Sequence, residues 1–244
     1  MDVEYLLKRV DKNKLPRHVG IIMDGNGRWA RARGLPRIEG HKEGLKALER
    51  ILEFNRYLRI PYLTVYAFSK ENWLRDKEEV EFLMSMALNV IKEKLEYFKE
   101  KKVRFIHIGD KKGISEELTQ MIDMLEALTR EGDVYTLCVA FNYSGRCEIS
   151  KAVKEIAHLV VEGRLRLDDI DESTVARYIY HPEVPDVDLI IRTSGEQRIS
   201  NFMLWRSAYS EFYFTEVLWP DFMPEHFVEA IRDFQSRERR FGRA

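Results

Sequence analysis

The chain holds two cysteines in 244 residues, Cys138 and Cys147. They form no C-x-x-C pair and no metal-ligand spacing, which excludes a disulfide scaffold and the common zinc sites. Cys138 lies in an apolar run and reads as a core residue. Charge of one sign is also missing: the formal net charge is -1. That excludes a general nucleic-acid binder, whose basic face would show as a large positive excess. No apolar run is long enough to span a bilayer. Residues 1–15 are charged and lack the apolar centre of a secretory signal. Together these absences point to the cytoplasm. There is no G-x-x-x-x-G-K-[ST] loop, and no G-x-G-x-x-G follows a strand, so a P-loop enzyme and a dinucleotide-binding unit are both disfavoured. Glutamine occurs only at Gln120, Gln197 and Gln235 while 33% of residues are charged, a composition associated with heat stability.

What is present is an ample supply of core-forming residues, 45% of the chain. Apolar runs of strand length alternate with helical periodicity. The strands are read at 19–23, 62–69, 103–110, 136–143, 186–193 and 211–215. Helices are read from Gly40-His41 to about Leu58, over 78–102, after the Ser115 cap, from about Gly145 to Val161, and over 224–239. Alternation of this kind predicts an α/β fold, a mostly parallel six-stranded sheet flanked by helices. With no repeat or long linker, one domain spans 1–244, with 1–15 as an N-terminal amphipathic arm.

The stretch 18–29, H-V-G-I-I-M-D-G-N-G-R-W, carries the strongest chemistry. A buried strand ends in an acid and a double-glycine turn. Glycines let backbone N–H groups approach an anion, and Arg28 adds a forked cation. An acid beside such a cradle suggests Mg²⁺ shared with phosphate oxygens. An ordinary β-turn fits the same residues. Two more strands end in polar clusters, 69–75 and 192–200. In a parallel sheet all carboxyl ends lie on one edge. Asp24, Arg28, Arg37, Arg75, Arg192 and Arg198 are therefore expected around one cleft, where several guanidinium groups suit diphosphates. Asp168 to Glu172 looks like an aspartate-rich metal motif but reads better as a solvated turn with helix-capping acids. The stripe Val80, Leu83, Met84, Ala87, Leu88, Ile91, Leu95 and Phe98 is either core or the wall of a greasy channel.

H-V-G-I-I-M-D-G-N-G-R-W-A, G-H-K-E-G, Y-A-F-S-K-E-N-W-x-R, F-N-Y-S-G-R, D-L-I-I-R-T-S-G-E-Q-R-I-S-N-F and A-Y-S-E-F-Y-F-T-x-x-L-W-P-D-F closely resemble, in order, the motifs of the cis-prenyltransferases, nearest to bacterial undecaprenyl diphosphate synthases. The resemblance covers 16–241. It implies a homodimeric, Mg²⁺-dependent α/β enzyme with a hydrophobic tunnel. Such an enzyme adds isopentenyl diphosphate to an allylic diphosphate, usually farnesyl diphosphate, to build Z-polyprenyl chains for cell-wall lipid carriers. Peripheral membrane contact for product release is a further expectation. By the resemblance, Asp24 handles Mg²⁺ and the migrating diphosphate. Gly25, Asn26, Gly27, Arg28, Trp29 and Arg37 match the allylic diphosphate site, with His41 beside them. Ser69, Asn72, Trp73 and Arg75 match a mobile active-site loop in which Asn72 has a catalytic part, and Glu79 is a loop-adjacent acid. Arg192, Arg198 and Ser200 match the isopentenyl diphosphate site. Glu211 matches a second metal carboxylate that the family may supply across the dimer. Ser194, Gly20 and Arg206 depart from the usual glycine, alanine and glutamine. Two other readings stay open from the residues: a silent partner subunit, and a Mg²⁺-dependent phosphohydrolase using the same acid.

Overall fold

A computed structural model describes residues 3–240. The ends of the expected domain 1–244 lie outside them. Six strands, β1 (His18–Ile22), β2 (Tyr62–Ser69), β3 (Val103–Ile108), β4 (Tyr135–Tyr143), β5 (Leu189–Arg192) and β6 (Glu211–Phe214), form one sheet. Every pairing is parallel and the order is β3-β4-β2-β1-β5-β6. β1 and β5 are buried at every position. Unbroken apolar runs such as V-G-I-I and L-I-I are what burial on both faces demands.

The helices are α1 (Val3–Leu7), α2 (Asn26–Ala32), α3 (Arg37–Leu58), α4 (Lys77–Glu100), α5 (Glu116–Leu128), α6 (Gly145–Val161), α7 (Glu172–Tyr178) and α8 (Pro224–Ser236). One sheet face packs Val19, Ile21, Leu63 and Val65 against Ile51 and Phe54 of α3, Leu83 and Ile91 of α4, Leu125 of α5 and Phe227 and Ile231 of α8. Ile22, Ile106, Cys138, Ile190 and Phe202 form a smaller core on the other face. The N-terminal arm is docked rather than loose: Leu6 and Val10 are buried in the main core. Asp171 caps α7 by accepting from Thr174 N at 2.7 Å, so the acidic stretch is a helix start.

Two sequence boundaries move for a physical reason. The stretch 24–28 is not a free turn, because α2 begins at Asn26. Gly25 caps it with φ at 110°, a conformation that costs a side-chain-bearing residue and suits glycine. α3 begins at Arg37, three residues before Gly40, directly after Pro36. Gly40 and Gly44 then lie one turn apart, where a Cβ would stand 2.0 Å from Asn26 O and 2.4 Å from Asn26 Oδ1. The glycines of G-H-K-E-G thus let α3 seat against the start of α2.

From β1 the chain crosses through α2 and α3 to β2 on one side, while β5 pairs on the other side. The carboxyl ends of β1 and β5 therefore flank the point where the winding reverses, the usual crevice of an open parallel sheet.

Candidate active site

Asp24 follows β1 and Arg192 closes β5, and the two meet across the crevice. Arg192 Nη2 donates to Asp24 Oδ2 at 2.9 Å. Arg28 Nη2 lies 3.5 Å from Asp24 Oδ1. Burial pushes the Asp24 carboxyl up, but the hydrogen bond from Arg192 and the charges of Arg192 and Arg28 outweigh it, so it titrates below the ordinary range. Thr193, not anticipated from the sequence, clasps the backbone: its Oγ1 donates to Asp24 O at 2.6 Å. Arg192 is 4% exposed. Its Nη1 also donates to Arg198 O and to Ser200 Oγ, the latter at 2.8 Å. Ser200 and the Arg198 backbone therefore fix the guanidinium, leaving the Arg198 side chain to the rim, where it pairs with Glu196.

A second hub lies opposite. Glu79 is 7% exposed and accepts from His41 Nε2 at 2.9 Å and from Arg75 Nη1 at 3.0 Å, and pairs with Arg37 Nε at 3.2 Å. Burial and the two arginines hold His41 below its ordinary value against the pull of Glu79. Glu79 is held low by His41, Arg75 and Arg37 against its own burial. The pair is thus a neutral imidazole beside a carboxylate. Ser69 and Asn72 hold the entry to the 70–74 turn, with Asn72 Oδ1 accepting from Ser69 N at 3.0 Å.

Asp24, Gly25, Asn26, Gly27, Arg28, Arg37, His41, Ser69, Asn72, Arg75, Arg192, Arg198 and Ser200 all line one polar cleft of about 810 Å³. Arg31, Tyr66, Glu71, Arg146 and Asn201 line it too and were not singled out by sequence. Tyr66 and Glu71 lie in Y-A-F-S-K-E-N-W-x-R, Arg146 ends F-N-Y-S-G-R and Asn201 lies in the 188–202 motif, so each had a signal; Arg31 had none beyond its place after the first turn. Asn201 Nδ2 donates to Glu71 Oε1 at 2.8 Å, tying the loop after β5 to the turn after β2.

Trp29, Trp73 and Glu211, all expected at the site, stand outside the lining of the cleft. Trp29 turns away from the cleft: its indole N–H donates to Asp221 Oδ1 at 2.8 Å, and Arg33 stacks on it. Helical rotation puts it off the Arg28 face. Trp73 is not in the cleft wall; its Nε1 donates to Asn142 Oδ1 at 2.9 Å, which anchors the 70–74 turn. Glu211 is not beside Asp24 in this chain. It opens β6, pairs in register with Leu189 at the start of β5, and binds Arg237 at 2.8 Å. Starting a parallel strand puts it on the opposite edge of the sheet.

The Asp24 side chain is 30% exposed and faces the cleft with arginines on either side. Among the described residues no three His, Cys, Asp or Glu side chains gather into a metal cage. This donor set fits Mg²⁺, which is held by one or two carboxylates and completed by substrate phosphates and water.

Beneath the cleft is an apolar cavity of about 410 Å³. The two share Met23, Asn26, His41, Ala67 and Leu83, so one leads into the other. Its walls are Leu45, Leu48 and Leu52 of α3, Met86, Ala87, Val90 and Ile91 of α4, and Leu137, Val139 and Phe141 of β4. The α4 stripe serves both roles: Leu83, Ala87, Ile91 and Phe98 face the cavity, while Met84, Leu88 and Leu95 pack on the core. Ala67 lines the cavity, and Val65 is sealed in the core below.

The comparisons agree with this geometry. The prenyltransferase family model for undecaprenyl diphosphate synthases matches residues 22–242. An isoprenyl transferase of Thermotoga maritima is 49% identical over 94% of this chain and 97% of its own length. The ditrans,polycis-undecaprenyl-diphosphate synthase ((2E,6E)-farnesyl-diphosphate specific) of Pasteurella multocida is 46% identical over 96% and 98%. Among solved structures, lavandulyl diphosphate synthase from Lavandula x intermedia, in complex with dimethylallyl diphosphate, superposes with a TM-score of 0.88 at 36% identity, covering 94% of this chain and 99% of that one. An acid and arginines at a sheet crossover, opening onto an oily cavity, are thus found in a chain that belongs to the undecaprenyl diphosphate synthase family of cis-prenyltransferases.

Proposed function

We propose that this chain condenses isopentenyl diphosphate units with an allylic diphosphate primer, farnesyl diphosphate, to make a long Z-polyprenyl diphosphate of the undecaprenyl type, a lipid-carrier precursor for cell-wall synthesis. The observation that carries this is the Asp24–Arg192 contact at the mouth of the apolar cavity. A diphosphate held there has the dry cavity directly beneath it for its prenyl tail.

The allylic diphosphate lies on the Gly25-Asn26-Gly27 backbone, with Arg28 and Arg37 on its oxygens. Departure of that group gathers negative charge, and these fixed donors stabilise it as it forms. Mg²⁺, held by Asp24, would supply further charge neutralisation to the phosphate oxygens. Arg192, Arg198 and Ser200 hold isopentenyl diphosphate so that its double bond faces the electron-poor allylic carbon. The new C–C bond forms as the C–O bond breaks, and a proton is then lost. Asn72 already spends its carbonyl on Ser69 N, so it orients substrate by its NH₂ group. Neutral His41 and the departing diphosphate lie in the cleft as acceptors for that proton. Apolar walls favour the lengthening tail by ~0.8 kcal/mol per buried CH₂.

The enzyme is a homodimer in this reading. Among the described residues no strand covers the outer edge of β6, an edge that proteins normally protect. Pairing there would let Glu211 serve the metal of the partner's cleft. Mixing Asp24→Ala and Glu211→Gln chains should then restore activity that neither has alone. Among the described residues no helix is long and apolar enough to cross a membrane. We place the protein in the cytoplasm, in peripheral contact with a membrane when product leaves, and assign it no nucleic-acid partner.

One assay tests the whole reading. Radiolabelled isopentenyl diphosphate, farnesyl diphosphate and Mg²⁺ should give elongated lipid, and chelation should stop it. No incorporation would indicate a silent subunit, and released phosphate without elongation a hydrolase.

A further inference from the structure

The apolar cavity has one wall that is a seam. α3 and α4 both run from the cleft toward the opposite sheet edge, and polar contacts tie them at both ends. At the cleft end Glu79 of α4 holds His41 and Arg37 of α3. At the far end Lys94 Nζ of α4 lies 2.8 Å from Glu49 Oε1 of α3, and Tyr97 Oη donates to Glu53 Oε2 at 2.9 Å. Arg56 Nη1 braces Glu53 at 2.8 Å, and Lys94 Nζ sits 5.8 Å from the Tyr97 ring centre. Between the two ties the facing side chains are hydrocarbon. Glu49, Glu53, Lys94 and Tyr97 are themselves part of the cavity lining. Along the α3–α4 seam a mostly apolar bore thus carries four polar groups that hold each other, beside Phe98 and Phe105 of the same lining.

We propose that the Glu49–Lys94 and Glu53–Tyr97 contacts form a releasable clasp that sets product length. It rests on the proposed reading of the cavity as the tunnel for the growing chain. The leading end of that chain reaches the far end last. To go further it must part the clasp and leave charged groups against hydrocarbon, which is unfavourable for any polar group without a partner. The clasp is nevertheless easy to open. Lys94 and Glu49 are 35% and 42% exposed, and ion pairs so exposed hold weakly. Each added isoprene unit gains by leaving water. Chain growth therefore stops where the gain from the next unit no longer offsets opening the seam. Bulky Phe98 and Phe105, in the same lining, set a fixed limit. A polar clasp sets one that charge removal extends.

The test sizes products from the full chain with farnesyl diphosphate, labelled isopentenyl diphosphate and Mg²⁺. The double variant Glu49→Met, Lys94→Met removes one contact with side chains of similar reach, and Tyr97→Phe removes the other. Each should lengthen the longest product by at least one isoprene unit. A third variant carries Glu49→Cys and Lys94→Cys with exposed Cys147 changed to Ser; buried Cys138 stays. Joining the new thiols with a short bifunctional reagent should hold the longest product at or below that of the unaltered chain. The same protein before joining should exceed it. Active variants whose products match those of the unaltered chain would overturn the clasp. An unaltered chain that incorporates no isopentenyl diphosphate would instead overturn the enzyme reading beneath it.

Discussion

The polar cleft and the apolar cavity share five residues, yet they are held in opposite ways. In the cleft, charge is balanced by charge before any substrate arrives: Asp24 by Arg192, Arg37 and Arg75 by Glu79, Arg28 and Arg198 by Glu196. In the cavity, apolar packing shapes most of the wall, with the His107 and Trp219 rings fixed on backbone carbonyls and the clasp on the α3–α4 seam. The cleft is therefore sensitive to the loss of single atoms and tolerant of small shifts in shape. The cavity is the reverse.

Removing one carboxylate should break the cleft and leave the cavity intact. Asp24→Ala is expected to lower turnover by ~10³-fold or more while the chain stays folded, as judged by its melting curve. A variant with near-normal turnover would mean that the charges at the crossover do not carry the reaction.

Acid should separate the cleft from the frame beneath it. Burial lowers His18 and His107, each from 6.5 to about 4. The unfolded chain takes up these protons below pH 6.5, whereas the folded chain does not until about pH 4. Their contribution is complete above pH 6.5 and is lost as pH falls toward 4, about 3 kcal/mol for His18. Against their burial, Asp24 and Glu79 are held below the ordinary carboxylate range, Asp24 by Arg192 and Arg28 and Glu79 by His41, Arg75 and Arg37, so acid neutralises them later than it would free carboxylates. Urea unfolding at pH 7 and pH 4.5 should show the loss, and His18→Gln should reduce it. Equal stability at the two pH values would contradict the assignment.

A change of shape should do to the cavity what a change of charge does to the cleft. Ala67→Phe fills the passage between them, so products should shorten by at least one isoprene unit while the first condensations proceed. An unaltered product ladder on thin-layer chromatography would remove Ala67 from the tunnel wall. The smallest effect is expected at Trp29. Trp29→Phe loses its bond to Asp221, worth about 1 kcal/mol of stability, and should leave KM for both diphosphates within about twofold. A large rise in KM would return Trp29 to the cleft.

The cleft was legible in the sequence because its groups follow strands, and parallel strands bring their carboxyl ends to one edge. Asp24, Arg192, Ser69 and Arg28 needed only that rule. Trp29 needed the helical phase, and a stretch read as a turn has none to offer. Glu211 needed strand direction: it opens its strand, so the same rule sends it to the far edge. Glu79, Arg37, His41 and Arg75 were each named by the resemblance, but their meeting at one carboxylate was not legible, because they come from α3, α4 and the turn between β2 and α4, which only the packing of the fold brings together. Ser194 shows a departure the fold absorbs. It takes φ of 77°, where glycine is easier, and its hydroxyl and carbonyl accept from Arg28. Arg206 is another. It is buried against Glu148 at 3.0 Å and also donates to the Tyr180, His181 and Val184 carbonyls, so the frame holds a satisfied ion pair well away from the cleft.

The most direct measurement is a crystal structure with a non-cleavable allylic diphosphate, isopentenyl diphosphate and Mg²⁺ bound together. One diphosphate should lie on Gly25 to Arg28 with Arg37, the other on Arg192, Arg198 and Ser200, and the prenyl tail should pass Ala67 into the space between α3 and α4. A tail lying along the protein surface, with that space empty, would contradict the account.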